Sequence, residues 1–196
     1  MRWVVLVIGV CSFAGLQARP ASAQDSQAQS FTIRAHAHSV CALSAPQSAQ
    51  AANMALGAGS VNQPVITIPS LHDGKTAQLQ PASISLMLNM VCNRAHSLRI
   101  TTGNGGLRSQ TGSDVLVRPG FANRVDYATH VNWGAASAKL QTSGILGEGT
   151  AEVHSPGAFS GNFVLQVLID ESGAGHLPLT AGTYTDTLTV TLSPHF

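Results

Sequence analysis

Apolar and polar residues alternate with a period of two through much of this chain, the spacing of strands that bury one face. Phe31, Ile33, Ala35 and Ala37 alternate with Thr32, Arg34, His36 and His38, which predicts a half-buried strand over residues 31–37. Continued unbroken, that phase carries Cys41 onto the face of Phe31 and Ile33. Ile84, Leu86, Leu88, Met90 and Cys92 share one parity, with Ser85, Asn89 and the exceptions Met87 and Val91 on the other. Both thiols are therefore in phase with apolar faces, as a bridge within a sandwich core requires. Residues 163–169 are nearly continuous in apolar side chains and predict a strand that is central or buried on both faces. The closing segment is the clearest: Tyr184, Leu188, Val190 and Leu192 alternate with Thr183, Thr185, Thr187, Thr189 and Thr191. Asp186 interrupts its apolar face.

Turn signals punctuate these runs. Residues 42–59, rich in Ala, Ser and Gln, predict a short helix or an irregular loop. Residues 65–68 form a short strand between Pro64 and Pro69, and residues 71–81 a turn with Asp73-Gly74 at its tip. A strand over 98–102 runs into Gly103-Asn104-Gly105-Gly106, a strong turn. Val115-Leu116-Val117 and residues 125–131 predict further strands, separated by Pro119-Gly120, whereas residues 134–161 predict loops and at most one weak strand. Short strands with turns at intervals point to an all-β chain folded as one β-sandwich domain over residues 31–196.

The first residues set the compartment. Met1-Arg2, an apolar run from Trp3 to Leu16 and Pro20-Ala21-Ser22-Ala23 have the form of a signal peptide cut after Ala23. The apolar run is short for a membrane span, so no membrane insertion is expected after cleavage. Cleavage leaves a polar leader over residues 24–30 ahead of the domain. Arg2 and Arg19 leave with the signal, so 8 basic residues face 9 acidic ones, a net of −1. That balance argues against nucleic acid as a partner. Of three cysteines only Cys41 and Cys92 remain, an even count in an oxidising compartment, which predicts a disulfide. A metal-binding reading of the pair lacks further ligands nearby.

Catalytic spacings are missing. Gly157-Ala158-Phe159-Ser160-Gly161 does not fit a nucleophile elbow, and the turn at Gly103 lacks a dinucleotide glycine pattern and a P-loop lysine. Glu148, Glu152, Asp170 and Glu171 read as solvated turn residues. His36 and His38 lie two apart and would share a strand face. The other six histidines are scattered singly without ligand spacing, and solvent-facing positions account for all eight. Trp133 beside Gly134 offers a ring that could stack on a sugar, although core packing is the commoner fate of a lone aromatic. The reading assigns no catalytic residue, cofactor or metal, and the chain is not expected to be an enzyme.

One segment has a sharper signature. Leu179-Thr180-Ala181-Gly182-Thr183-Tyr184-Thr185-Asp186-Thr187-Leu188-Thr189-Val190-Thr191-Leu192 resembles the closing strand of the spore coat protein U family, which includes subunits of archaic chaperone–usher pili. The strand into Cys41-Ala42-Leu43-Ser44, the strand ending at Cys92, and Tyr127 with Trp133-Gly134 are similar too. Residues 135–177 match loosely, and the Ala-rich insert after Cys41 departs from the pattern. The resemblance implies an Ig-like sandwich lacking its last strand, whose apolar groove a periplasmic PapD-like chaperone fills first. The N-terminal strand of a neighbouring pilin subunit then replaces the chaperone at an outer-membrane usher, by donor-strand complementation. Carried onto this chain, the acceptor groove is lined by Tyr184, Leu188, Val190 and Leu192, with Asp186 in the same strand and help from residues 163–169. The donor candidate is Phe31, Ile33, Ala35 and Ala37. If residues 31–37 serve instead as the domain's own first strand, no donor remains and the subunit is terminal or does not polymerise. The expectation is a structural subunit of a pilus or surface coat, exported through the periplasm. The alternative is a secreted carbohydrate- or surface-binding adhesin module on the same sandwich.

Overall fold

Backbone groups that leave water need partners, so the alternating segments become strands only where a neighbour offers a ladder. The structure, a computed structural model, describes residues 29–60, 63–110 and 119–195. The predicted signal segment 1–23, residues 24–28 and the predicted strand Val115-Leu116-Val117 lie outside the described residues. The strands in chain order are β1 (Cys41–Leu43), β2 (Ser48–Ala52), β3 (Ala55–Ser60), β4 (Gln63–Thr67), β5 (Ala82–Cys92), β6 (His96–Thr102) and β7 (Leu107–Ser109). They continue as β8 (Arg124–Val125), β9 (Ala128–Trp133), β10 (Ala136–Gln141), β11 (Gly149–Ser155), β12 (Phe159–Ile169), β13 (Tyr184–Thr185) and β14 (Leu188–Pro194). The chain is all-β, as its periodicity predicts.

The largest sheet has the order β1-β5-β12-β9-β10, with β2 also on β5. A second sheet, β11-β6-β14, supplies the other layer; β13-β7-β8 and the hairpin β3-β4 complete the ladders. All named pairings are antiparallel. Even-numbered residues of β5 from Ala82 to Cys92 face inward, with Leu98 and Ile100 from β6, Val131 from β9 and Phe163 from β12, in one buried core. This is a β-sandwich, with apolar residues at every second position of its long strands.

The fold differs from several expectations. Residues up to His36 and residues from Ala37 onward form separate units. Residues 31–37 do not form the predicted strand: they carry no regular structure, and Phe31 and Ile33 are 79% and 93% exposed. A period of two without a ladder partner does not make a strand. Residues 42–59 are not helical, because β1 and β2 run in succession along one edge of β5 and β3 turns back on β4. That available edge overrides the low strand propensity of alanine. Residues 134–161 likewise hold β10, β11 and the start of β12, where glycine and alanine masked the alternation. The predicted strand over 125–131 is split between β8 and β9. β12 is central, paired by β5 on one edge and β9 on the other, but its outer face is open at Leu168.

The Cys41–Cys92 disulfide is present, as predicted, with both residues at the core. The two cysteines stand directly opposite each other on β1 and β5, with Cα atoms 4.2 Å apart. The bridge therefore joins neighbours in one sheet and does not cross between sheets. Strand phase places a thiol on the inner face but cannot distinguish a lateral partner from a transverse one. The disulfide fastens β1, an edge strand of three residues, to the long β5.

Candidate functional site

The closing segment is two strands that change sheets at a shared corner. β13 pairs with β7 and β14 with β6, so the antiparallel partners bend together. Between Thr102↔Leu188 and Arg108↔Thr185, residues 103–107 on one side oppose only 186 and 187 on the other. The longer side must loop, which strands its amides. Gly105, at φ 67°, takes a turn in which a Cβ would lie 2.4 Å from the Gly147 carbonyl oxygen.

Asp186 accepts what this corner leaves over. Its carboxylate receives the backbone N–H of Asn104 at 2.8 Å, of Gly106 at 3.1 Å and of Thr187 at 2.7 Å. It also receives the Tyr127 hydroxyl at 2.8 Å and the Thr102 hydroxyl. An apolar residue here would leave these donors unpaired, which is why the alternation breaks at this position. Burial, with the adjacent Asp186 adding to it, pushes the Tyr127 phenol well above its ordinary range, against a smaller opposing effect of the Thr102 hydrogen bond. Beside it Arg124 donates to Asp126 at 2.5 Å, to the Gly105 carbonyl at 2.7 Å and to the Thr142 carbonyl. Thr142 in turn receives the Tyr127 backbone N–H at 2.8 Å. The corner is a rigid polar lock.

Beyond the lock, β14 is an edge strand. It pairs with β6 along its length, and among the described residues no strand occupies its other side. Leu188, Val190 and Leu192 face the core yet stay half-buried, whereas Leu98 and Ile100 beside them on β6 are fully buried. β1, the edge of the opposite sheet, comes within 8 Å of β14 between Cα atoms without pairing to it. Two strands that flank a third stand about 9.6 Å apart, so an inserted strand has to part this seam by at least about 2 Å where it is narrowest.

The expected groove residues do not all meet here. Leu188, Val190 and Leu192 do. Tyr184 lies on β13, where its hydroxyl donates to the carbonyls of Thr180 at 2.9 Å and Ala122 at 3.1 Å, away from the β14 edge. Asp186 sits in the corner. Residues 163–169 belong to β12, two places in from β1, and do not border the seam. Of the donor candidates, Phe31, Ile33 and Ala35 are exposed in the segment without regular structure, and Ala37 is exposed at the start of the second unit.

Sequence reading missed the partners of the conspicuous residues. Trp133 is 2% exposed, with its indole N–H donating to His96 Nε2 at 3.1 Å. It packs in the core, the commoner fate expected of a lone aromatic, and is not presented for stacking on a sugar. His96 is fully buried, and its Nδ1 meets the Arg94 carbonyl at 3.0 Å, so accepting from Trp133 requires the neutral Nδ1–H tautomer. The expectation that all eight histidines face solvent fails at His96, which is fully buried, and its pairing with Trp133 across 37 positions left no trace in spacing. Of the carboxylates read as turn residues, Glu152 pairs with Arg99 at 2.8 Å and Asp170 caps the short 3₁₀ turn Glu171–Ala174. No protein-family model matches the chain, and no curated protein matches it.

Proposed function

We propose that this protein is a structural subunit of a chaperone–usher type pilus or surface coat, assembled by donor-strand complementation. The observation that carries the reading is the outer edge of β14, unpaired among the described residues, whose inward residues Leu188, Val190 and Leu192 remain half-buried. An edge that presents unpaired backbone groups above apolar side chains is a template for another chain. The donor is the N-terminal segment of a second copy, with Phe31, Ile33, Ala35 and Ala37 at alternate positions. The exposure of Phe31 and Ile33 in a segment without its own ladder is consistent with that role. Backbone pairing with β14 supplies affinity, and the bulky Phe31 and Ile33 set register. In this reading a PapD-like chaperone covers the edge in the periplasm, an usher exchanges it for the next subunit, and the product lies at the cell surface.

Periplasmic co-expression tests the reading. With a PapD-like chaperone the chain accumulates as a one-to-one complex; without it the chain aggregates or is degraded. Recovery of a soluble, cooperatively unfolding monomer at the same yield in both cases would overturn the proposal.

A further inference from the structure

The outer face of the β11-β6-β14 sheet brings together two histidines that lie far apart in sequence. Register places His154 opposite Ser97, and Ser97 opposite Ser193. His195 follows one same-face step beyond Ser193, its backbone N–H held by the Ala95 carbonyl at 2.8 Å. Both imidazoles are exposed, and their ring centroids stand 5.5 Å apart with the planes tilted by 38°. The small side chain of Ser97 between them does not hold the rings apart. On the same face, one step along β11, Glu152 is tied to Arg99 at 2.8 Å, which balances that guanidinium's charge.

We propose that His154 and His195 form a two-imidazole site for a transition-metal dication of the zinc or copper(II) type. A metal about 2.1 Å from an imidazole nitrogen stands about 3.2 Å from that ring's centroid. Two centroids at 5.5 Å then subtend an angle of roughly 120° at the metal, within the range of a distorted tetrahedral or trigonal site. Imidazole nitrogen suits zinc and copper, and neither ring is buried away from an entering ion. Among the described residues no group of three His, Cys, Asp or Glu side chains converges, so the protein supplies two ligands and water completes the shell. The ion ties edge strand β14 to edge strand β11 over β6 on the solvent face. It leaves the outer backbone edge of β14 free, so this site does not rest on the assembly reading above.

Titration of the whole mature chain with zinc chloride and with copper(II) chloride tests the site, followed by calorimetry and, for copper, by electron paramagnetic resonance. The wild type takes up one equivalent in the micromolar range, with a copper signal split by two equivalent nitrogens. His154→Ala and His195→Ala each weaken uptake by about tenfold or more and reduce the splitting to one nitrogen. A His36→Ala/His38→Ala double variant keeps both properties. Zinc in about hundredfold excess over its Kd raises Tm by roughly 5–10 °C in the wild type and by much less in either single variant. Wild-type affinity and nitrogen pattern in both single variants, or loss of binding confined to the His36/His38 variant, would overturn the site. Because both residues are exposed, circular dichroism of the variants separates loss of ligand from loss of fold.

Discussion

Asp186 and Val190 stand four residues apart in the closing segment, yet their surroundings differ in kind. The Asp186 carboxylate takes five donors and binds β13, β14, the Gly105 turn and Tyr127 into one lock. Val190 lies on a strand with one paired edge and, among the described residues, one open edge, its side chain only half-buried. A polar residue in an apolar phase is thus explained by the donors it accepts, while the regular apolar stripe packs on the core and is left half-buried. The irregular position reports internal architecture. In the assembly reading proposed above, the regular stripe is the surface that a donor strand would cover.

The comparison can be broken from either side. Replacing Cys41 and Cys92 together by serine releases β1, the far wall of the seam. The chain-entropy effect of a loop spanning 51 positions predicts a loss of about 4 kcal/mol in urea unfolding. An unchanged midpoint would show that β1 is held by its ladder alone. Asp186→Ala strands the backbone N–H groups of Asn104 and Gly106 and the Tyr127 hydroxyl, and is expected to cost about 3 kcal/mol. Val190→Ala, in the stripe, should cost less than half of that.

Tyr127→Phe removes one donor from the lock and should cost about 1–2 kcal/mol near neutral pH. Its pH profile is more telling. The folded chain keeps the Tyr127 proton at pH values where the unfolded chain gives it up, since the folded pKa is raised above 10.0. The contribution is therefore complete below about pH 10 and is lost as pH rises beyond it. Thermal melts between pH 9 and pH 11 should show a steeper fall in Tm for the wild type than for Tyr127→Phe. Parallel profiles would remove Tyr127 from the lock.

The smallest effect on the isolated chain belongs to Val190→Thr. This nearly isosteric change at a half-buried position should cost no more than about 1 kcal/mol. It should nevertheless weaken capture of a donor strand, because the hydroxyl enters the apolar floor of the seam. A large loss of stability with unchanged capture would reverse the comparison.

Much of the sandwich was legible because its long strands bury one face. The even parity of β5, the apolar run of β12 and the threonine stripe of β14 each follow from burial, which sequence records directly. What was hidden depends on partners. Residues 31–37 alternate as well as β5 does, but no ladder forms on them. Residues 48–52 are exposed throughout and rich in alanine, yet they are a strand because β5 has an edge to share. The corner at Asp186 was invisible for a related reason. A two-against-five mismatch in register is a property of two segments far apart in sequence, and only their superposition shows which amides lack acceptors. The pairing of Cys41 with Cys92 was readable from count, but its lateral placement was not.

Amide hydrogen exchange on residues 188–193, with and without a synthetic peptide of residues 29–38, tests the central claim most directly. The account predicts that amides on the outer edge of β14 exchange quickly in the chain alone and slow by about tenfold or more when the peptide is added. A peptide with Phe31→Asp and Ile33→Asp should leave them fast. Slow exchange of every β14 amide before any peptide is present would contradict the claim that this edge awaits a partner.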